Sequence, residues 1–251
     1  MDRPPLEPLA LTIMFPCYNE EANVERVTQA AVEVAQRIAA DWEVLIVNDG
    51  SRDRTGEIAD RLAREIPGVR AVHNRPNQGY GGALARGFRA ARKSWIFYTD
   101  GDGQFDFGEI PRILPLLHTH DIVSCYRLNR QDSAIRKLNA WAWTTLVNLV
   151  FGLRLRDIDC AFKIYPRPFI DRIELWSRGA LIDTEMLAKA RNLGYSIAQA
   201  GVHHYPRTAG QQTGANLKVI LRAFKELFKL HGRIRREGSA ADERHRVAGS
   251  R

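Results

Sequence analysis

Short apolar runs alternate with longer amphipathic stretches from Leu9 onward. Leu11–Phe15, Glu43–Val47, Val69–His73, Trp95–Thr99 and Asp121–Cys125 read as buried strands, rich in β-branched and aromatic residues. Between them, Glu20–Ile38 places Val24, Val27, Ala31, Val34 and Ile38 on one helical face. Asp53–Ile66 reads as a second helix closed by Pro67-Gly68, and a glycine-rich turn (Asn77-Gln78-Gly79-Tyr80-Gly81-Gly82) opens a third that runs to Arg92. A further helical segment holds Pro111 and Pro115. Strands separated by helices of this length predict an α/β domain with a mainly parallel sheet covered by helices.

The pattern changes after Tyr126. Ala134–Phe151 reads as a helix apolar almost all round, with Trp141 and Trp143, flanked by Arg136-Lys137 and by Arg154 and Arg156. It fits a core helix and a helix lying in a membrane interface equally well. Leu181–Leu193 reads as another helix and Ser196–Val202 as a late strand. Over 215–236, Leu217, Ile220, Leu221, Phe224, Leu227 and Phe228 form an apolar stripe beside a basic one (Lys218, Arg222, Lys225, Lys229, Arg233). The alternative to membrane docking there is an ordinary domain-capping helix. The expected division is a tail over 1–8, the catalytic domain over 9–214, the docking helix over 215–236 and a polar tail over 237–251.

Composition narrows the choice only partly. A chain of 251 residues, 45% of them hydrophobic, can bury a proper core and is not disordered throughout. Lysine and arginine number 37 against 29 acids, a net charge of +8, which favours phosphates, nucleic acid or an anionic membrane surface. Cys17, Cys125 and Cys160 are odd in number and lack ligand spacing, as free thiols in a reducing compartment would. The first residues carry no signal pattern, and the longest uncharged stretch, Leu138–Leu153, is shorter than the roughly 20 residues of a spanning helix. The expectation is a protein of the cytosol, peripheral on the cytosolic face of a membrane.

The densest chemistry follows the Trp95–Thr99 strand, where Asp100-Gly101-Asp102-Gly103-Gln104 sets two carboxylates and an amide oxygen at a sheet edge. Open α/β sheets bind ligands at that edge, and hard divalent cations take oxygen ligands shared with substrate phosphates. A plain surface turn is the bland alternative. Two earlier strands end alike, in Pro16-Cys17-Tyr18-Asn19-Glu20 and in Asn48-Asp49-Gly50-Ser51. Helix capping would account for Asn19 and Ser51, but three strands ending in acids or amides exceed what capping needs. Tyr18 offers an aromatic face to a nucleotide base, and Asp49 an acceptor for base or ribose. The turn at 77–82 is neither a phosphate loop nor a dinucleotide fingerprint, and reads as a tight helix entry.

In order, Pro-x-Tyr-Asn-Glu, Asp-Gly-Ser-x-Asp-x-Thr, Asn-x-Gly-x-Gly-x-Ala and Asp-x-Asp-x-Gln resemble family 2 glycosyltransferases of the GT-A fold. Within that family the resemblance is specifically to polyprenyl-phosphate sugar transferases of the dolichyl-phosphate mannose synthase type, from about Leu9 to Gly214. The resemblance implies that Pro16, Tyr18, Glu20 and Asp49 bind the nucleoside. It implies that Asp100, Gly101, Asp102 and Gln104 meet the donor diphosphate, with Asp100, Asp102 and Gln104 holding Mg²⁺ or Mn²⁺. Arg127, Arg130, Ser133 and Arg136 match the stretch that meets donor and lipid phosphates. Asp157-Ile158-Asp159-Cys160-Ala161-Phe162-Lys163 resembles the family's Asp-x-x-Ser-Gly-Phe-Arg segment. Asp183 and Glu185 fall where the family presents acids beneath the sugar, and Arg207 begins a loop similar to its Arg-x-x-Gly clamp. Asn48, where many members carry a second Asp, and Gly103, Phe105, Gln211 and Gln212 depart from the pattern.

The implied reaction is metal-dependent, inverting transfer from a nucleotide diphosphate sugar (GDP-mannose or UDP-glucose type) to a polyprenyl phosphate. An acceptor phosphate is anionic at neutral pH, so Asp102, Arg127, Arg130, Arg136, Asp157 and Arg207 would position charges rather than abstract a proton. A hydroxyl acceptor, soluble or diacylglycerol, would instead need a base, with Asp157, Asp159 or Asp183 available. A nucleic-acid-binding protein is the non-enzyme alternative prompted by the charge, but no recognition motif supports it.

Overall fold

The computed structural model describes residues 3–128, 134–207, 224 and 226–237, the side chains of 134–136 apart. In its first half, β1 (Ala10–Cys17), β2 (Asp41–Asn48), β3 (Val69–His73) and β4 (Trp95–Thr99) are joined by α1 (Val24–Ile38), α2 (Thr55–Glu65) and α3 (Gly79–Ala90). β1 lies between β2 and β4, parallel to both, and β3 extends the sheet beyond β2. Ile13, Met14, Phe15 and Val44–Val47 are wholly buried, because helices cover both faces of a parallel sheet; hence continuous apolar runs rather than alternation. Right-handed crossovers send α1 and α2 to one face and α3 to the other. The chain therefore reverses its direction of travel across the sheet between β1 and β4, and a crevice opens there at the carboxyl ends.

The second half departs from the predicted pattern. After α4 (Ile110–Ile113), β5 (Ile122–Ser124), β6 (Tyr126–Leu128) and α5 (Ala134–Phe151), the Phe162–Pro166 stretch forms a strand, β7. It runs antiparallel between β4 and β5, buried along its length. Lys163, its second residue, hid it from a reading based on apolar runs. The late strand expected over Ser196–Val202 is two strands, β8 (Ile197–Ala198) on the main sheet and β9 (Gly201–His203) paired with β6. Among the described residues the main sheet has the order β3-β2-β1-β4-β7-β5-β8. It is an α/β fold, mainly parallel, with one antiparallel insertion.

α6 (Arg167–Arg172) and α7 (Leu181–Asn192) complete the main body. A second, smaller core joins Val147 and Phe151 of α5 to Leu181 and Leu187 of α7 and to Leu227, Leu230 and Ile234 of a last helix, α8 (226–237). Of the helix expected over 215–236, residues 215–223 and 225 lie outside the described residues. The described part buries Leu227, Leu230 and Ile234, while Phe224 and Phe228 are exposed, so its two apolar flanks face different surroundings. On α5, Leu138, Trp141 and Leu149 are exposed while Val147 is buried. Among the described residues no helix is long and apolar enough to cross a membrane.

Candidate active site

The crevice is built by interlaced loops. Asn19 takes a left-handed conformation (φ 57°), which asparagine tolerates better than most residues. It lets the chain after β1 fold onto the loop after β2. The Asn19 N–H donates to Ser51 Oγ (3.0 Å), Asn19 Oδ1 accepts from Arg52 N–H (2.8 Å), and the Glu20 N–H donates to Thr55 Oγ1 (2.8 Å). Asn19 and Ser51 thus tie two strand ends together instead of capping helices. Asp49 is buried, its Oδ1 accepting from Asn74 Nδ2 (2.8 Å) and from the Gln78 N–H (2.9 Å), so it organises the loop into α3. Tyr18, in contrast, is exposed, as a stacking surface for a base must be. A cavity of about 400 Å³ lies alongside, lined by Asn48, Gly50, Ser51, His73 and Arg75 among others; Asp100 and Asp102 are not part of it.

On the β4 side, Asp100 accepts from the Tyr80 hydroxyl (3.0 Å), and Asp102 Oδ1 accepts from the Gln104 N–H (3.1 Å). Burial, then the charge of Asp102, raises the Asp100 carboxyl to about 7. Burial also raises Asp102, against the pull of the Gln104 N–H and of Arg207. For two desolvated acids side by side, the pull of Arg207 on Asp102 and of Lys163 on Asp100 does not offset burial, the condition a bound cation would relieve. Among the described residues no group of three His, Cys, Asp or Glu side chains could hold a metal alone. The donor set fits a divalent cation whose remaining ligands are phosphate oxygens, the usual arrangement for Mg²⁺. Gln104 donates through Nε2 to Tyr205 O (2.8 Å) and accepts the Tyr205 N–H at its own carbonyl (2.8 Å). That clasp brings Arg207 in, where it ion-pairs with Glu20 and lies 4.0 Å from Asp102. Glu20, expected only to bind the nucleoside, therefore also anchors the predicted phosphate clamp.

Arg127 and Asp157 form a bidentate pair (2.7 and 2.9 Å). Burial works against the guanidinium, and the Asp157 hydrogen bonds more than offset it, so its pKa lies above the ordinary value. Asp159 is half-buried and has no hydrogen bond or ion pair among the described residues. Burial and the neighbouring Asp183 and Asp157 raise its carboxyl to about 6. Asp183 and Glu185 are both buried. Asp183 is buried against Lys163 Nζ (2.6 Å) and the Tyr98 hydroxyl. Glu185 accepts the backbone N–H groups of Trp176 and Ser177 (2.9 and 2.8 Å). Pro16 and Gly101 lie against each other: a Cβ on Gly101 would sit 2.5 Å from the Pro16 carbonyl oxygen, which is why β1 and the Asp100–Gln104 turn can approach so closely. Arg130, Ser133, Gln211 and Gln212, and the side chain of Arg136, lie outside the described residues.

The Glycosyl transferase family 2 model matches residues 12–173, which hold every strand-end motif just described. The chain belongs to that family. A dodecaprenyl-phosphate galacturonate synthase of Rhizobium johnstonii is 34% identical over 179 residues, 68% of this chain and 52% of that protein. Glycosyltransferase AglD of Haloferax volcanii is 31% identical over 216 residues, covering 78% of this chain and 33% of that protein. The chain thus spans between a third and about half of these two relatives. Glucosyl-3-phosphoglycerate synthase of Mycobacterium tuberculosis, solved with Mn²⁺ and UDP-glucose, superposes with a TM-score of 0.67 at 19% identity, over 89% of this chain and 79% of that one. Mannosyl-3-phosphoglycerate synthase of Rubrobacter xylanophilus does so at 0.68 and 17%, over 92% and 75%. These likenesses establish that this family 2 chain has the GT-A fold.

Proposed function

We propose that this glycosyltransferase moves a sugar from a nucleotide diphosphate sugar, of the GDP-mannose or UDP-glucose type, to a polyprenyl phosphate, with inversion, at the cytosolic membrane face. The observation that carries the reading is Arg207, drawn by Glu20 and Asp102 to the edge where the acid pair stands, with the bidentate Arg127 also on the second half of the chain. Two polyanions must meet there, and guanidinium forks match phosphate geometry. Two curated relatives named for polyprenyl phosphates, the dodecaprenyl enzyme above and an undecaprenyl-phosphate 4-deoxy-4-formamido-L-arabinose transferase of Pseudomonas fluorescens, support that acceptor class.

In this reading Tyr18 stacks on the base and Asp100 and Asp102 hold Mg²⁺ or Mn²⁺. A bound cation would neutralise charge on the leaving diphosphate. Arg207 and Arg127 balance the charge of donor and acceptor and orient the acceptor oxygen behind the sugar carbon. Residues 9–214 form the catalytic unit, and the exposed Leu138, Trp141 and Leu149 of α5, Phe228 of α8, and Phe224 meet the membrane interface.

Asp159, half-buried and without a hydrogen bond or ion pair among the described residues, favours a second reading, a hydroxyl acceptor deprotonated by that carboxylate. Purified protein with Mn²⁺ is to be given radiolabelled UDP-glucose or GDP-mannose, with undecaprenyl phosphate in vesicles, diacylglycerol or 3-phosphoglycerate. Label in an acid-labile polyprenyl product supports the first reading. Label confined to a hydroxyl acceptor supports the second.

A further inference from the structure

The glycine-rich turn at the start of α3 performs a task the sequence did not disclose. A strap, residues 176–179, lies directly on it. The Gly81 N–H donates to the Arg178 carbonyl (2.9 Å), a Cβ at Gly81 would fall 2.4 Å from the Ser177 carbonyl oxygen, and one at Gly79 would fall 2.8 Å from that of Arg178. Gly79 also has φ +77°. These glycines are there because backbone meets backbone. Between them stands Tyr80, whose hydroxyl reaches the Asp100 carboxylate at 3.0 Å. The phenolic O–H is the donor and the carboxylate oxygen the acceptor.

The strap is itself held from beneath. Glu185 accepts its Trp176 and Ser177 N–H groups, and Lys189 lies 3.3 Å from Glu185. Lys189 and Arg233 of α8 both lie over the Trp176 ring, at 3.3 and 3.7 Å from its centre. A buried carboxylate, two cations and an aromatic ring thus set the height of the strap, and the strap sets the start of α3.

We propose that Tyr80 is a positioning residue for Asp100, and that the 176–179 strap holds it there through the Gly79–Gly81 contact. The proposal rests on the reading that Asp100 takes the divalent cation. A hydrogen bond to one carboxylate oxygen restrains the rotation of the carboxylate and would leave the other oxygen available to a cation. Removal of such an outer partner lowers metal affinity roughly 10–100-fold.

The test is Mn²⁺ binding, read by the loss of the free-ion spin-resonance signal with UDP or GDP present, on wild type, Tyr80→Phe, Gly81→Ala, the double variant, Gly179→Ala and Asp100→Asn. Melting temperature and circular dichroism check that each variant folds. A Cβ at Gly179 meets nothing within 4 Å, so Gly179→Ala is the control within the strap. The expected result is a roughly tenfold weaker Mn²⁺ affinity in Tyr80→Phe and in Gly81→Ala, no further loss in the double variant, and none in Gly179→Ala. Wild-type affinity in Tyr80→Phe, with binding lost in Asp100→Asn, overturns the positioning role and leaves the metal reading standing. Additive losses in the double variant overturn the strap's action through Tyr80. Wild-type affinity in Asp100→Asn overturns the metal reading itself. Should Gly81→Ala fail to fold, the Tyr80→Phe arm still decides the claim for Tyr80.

Discussion

Lys163→Met would remove the ammonium from beneath the active site while keeping most of the side chain's length and volume. Lys163 has no exposed surface, and its nitrogen lies 2.6 Å from Asp183 Oδ1, 2.6 Å from the Cys160 carbonyl and 3.1 Å from the Tyr98 hydroxyl. Its loss leaves a buried carboxylate without that ion pair, a change that costs about 3–5 kcal/mol. For a domain of this size each kcal/mol lowers the melting temperature by about 2–4 °C, so the expected drop is about 6–20 °C. Adding Asp183→Asn removes the stranded charge, and the double variant should recover a large part of that loss. The assay is thermal or urea unfolding of the two single variants and the double, with single-turnover transfer measured at a temperature where all are folded. Asp183→Asn should retain a fast chemical step; a catalytic base there would cost roughly 10²–10⁴-fold. A melting temperature for Lys163→Met within about 2 °C of wild type would refute the buried-pair argument. A stable but inactive Asp183→Asn would refute the assignment of Asp183 to structure rather than chemistry.

Three further outcomes follow from the same geometry. The Asp100 carboxyl, raised to about 7, carries a proton below that pH that a cation must displace; Mn²⁺ affinity, followed by calorimetry, should fall about tenfold per pH unit below pH 7 and level off above it. Arg127→Gln breaks a bidentate pair with a largely buried Asp157, and should weaken the protein by about 2–4 kcal/mol and slow transfer to a phosphate acceptor, whereas Arg127→Lys should restore charge without the fork; urea unfolding and single-turnover rates check both. Trp141→Ser with Phe228→Ser removes exposed apolar side chains from α5 and α8, so sedimentation with anionic vesicles should drop while the melting temperature stays within about 2 °C.

Strands β1 to β4 and the chemistry at their ends were set by local sequence. A strand buried on both faces must be apolar throughout, and it must stop where polar groups begin, so Pro16–Glu20, Asn48–Ser51 and Asp100–Gln104 stand out against their surroundings. Composition and order along the chain were enough to expect a mainly parallel α/β sheet. Tertiary structure decided the rest. β7 carries Lys163, and the distant Asp183 and Tyr98, with the Cys160 carbonyl, make that lysine tolerable in a core. Glu20 and Arg207 are 187 positions apart, and Gln104 must clasp Tyr205 before they meet. The glycines of the 77–82 turn answer to a strap a hundred residues downstream, and Leu230 and Ile234 turn inward because α5 and α7 offer them a surface. Hydrophobic period and strand-end chemistry are properties of neighbouring residues and can be read from their order. Charge compensation and close backbone approach belong to pairs that only the folded chain brings together.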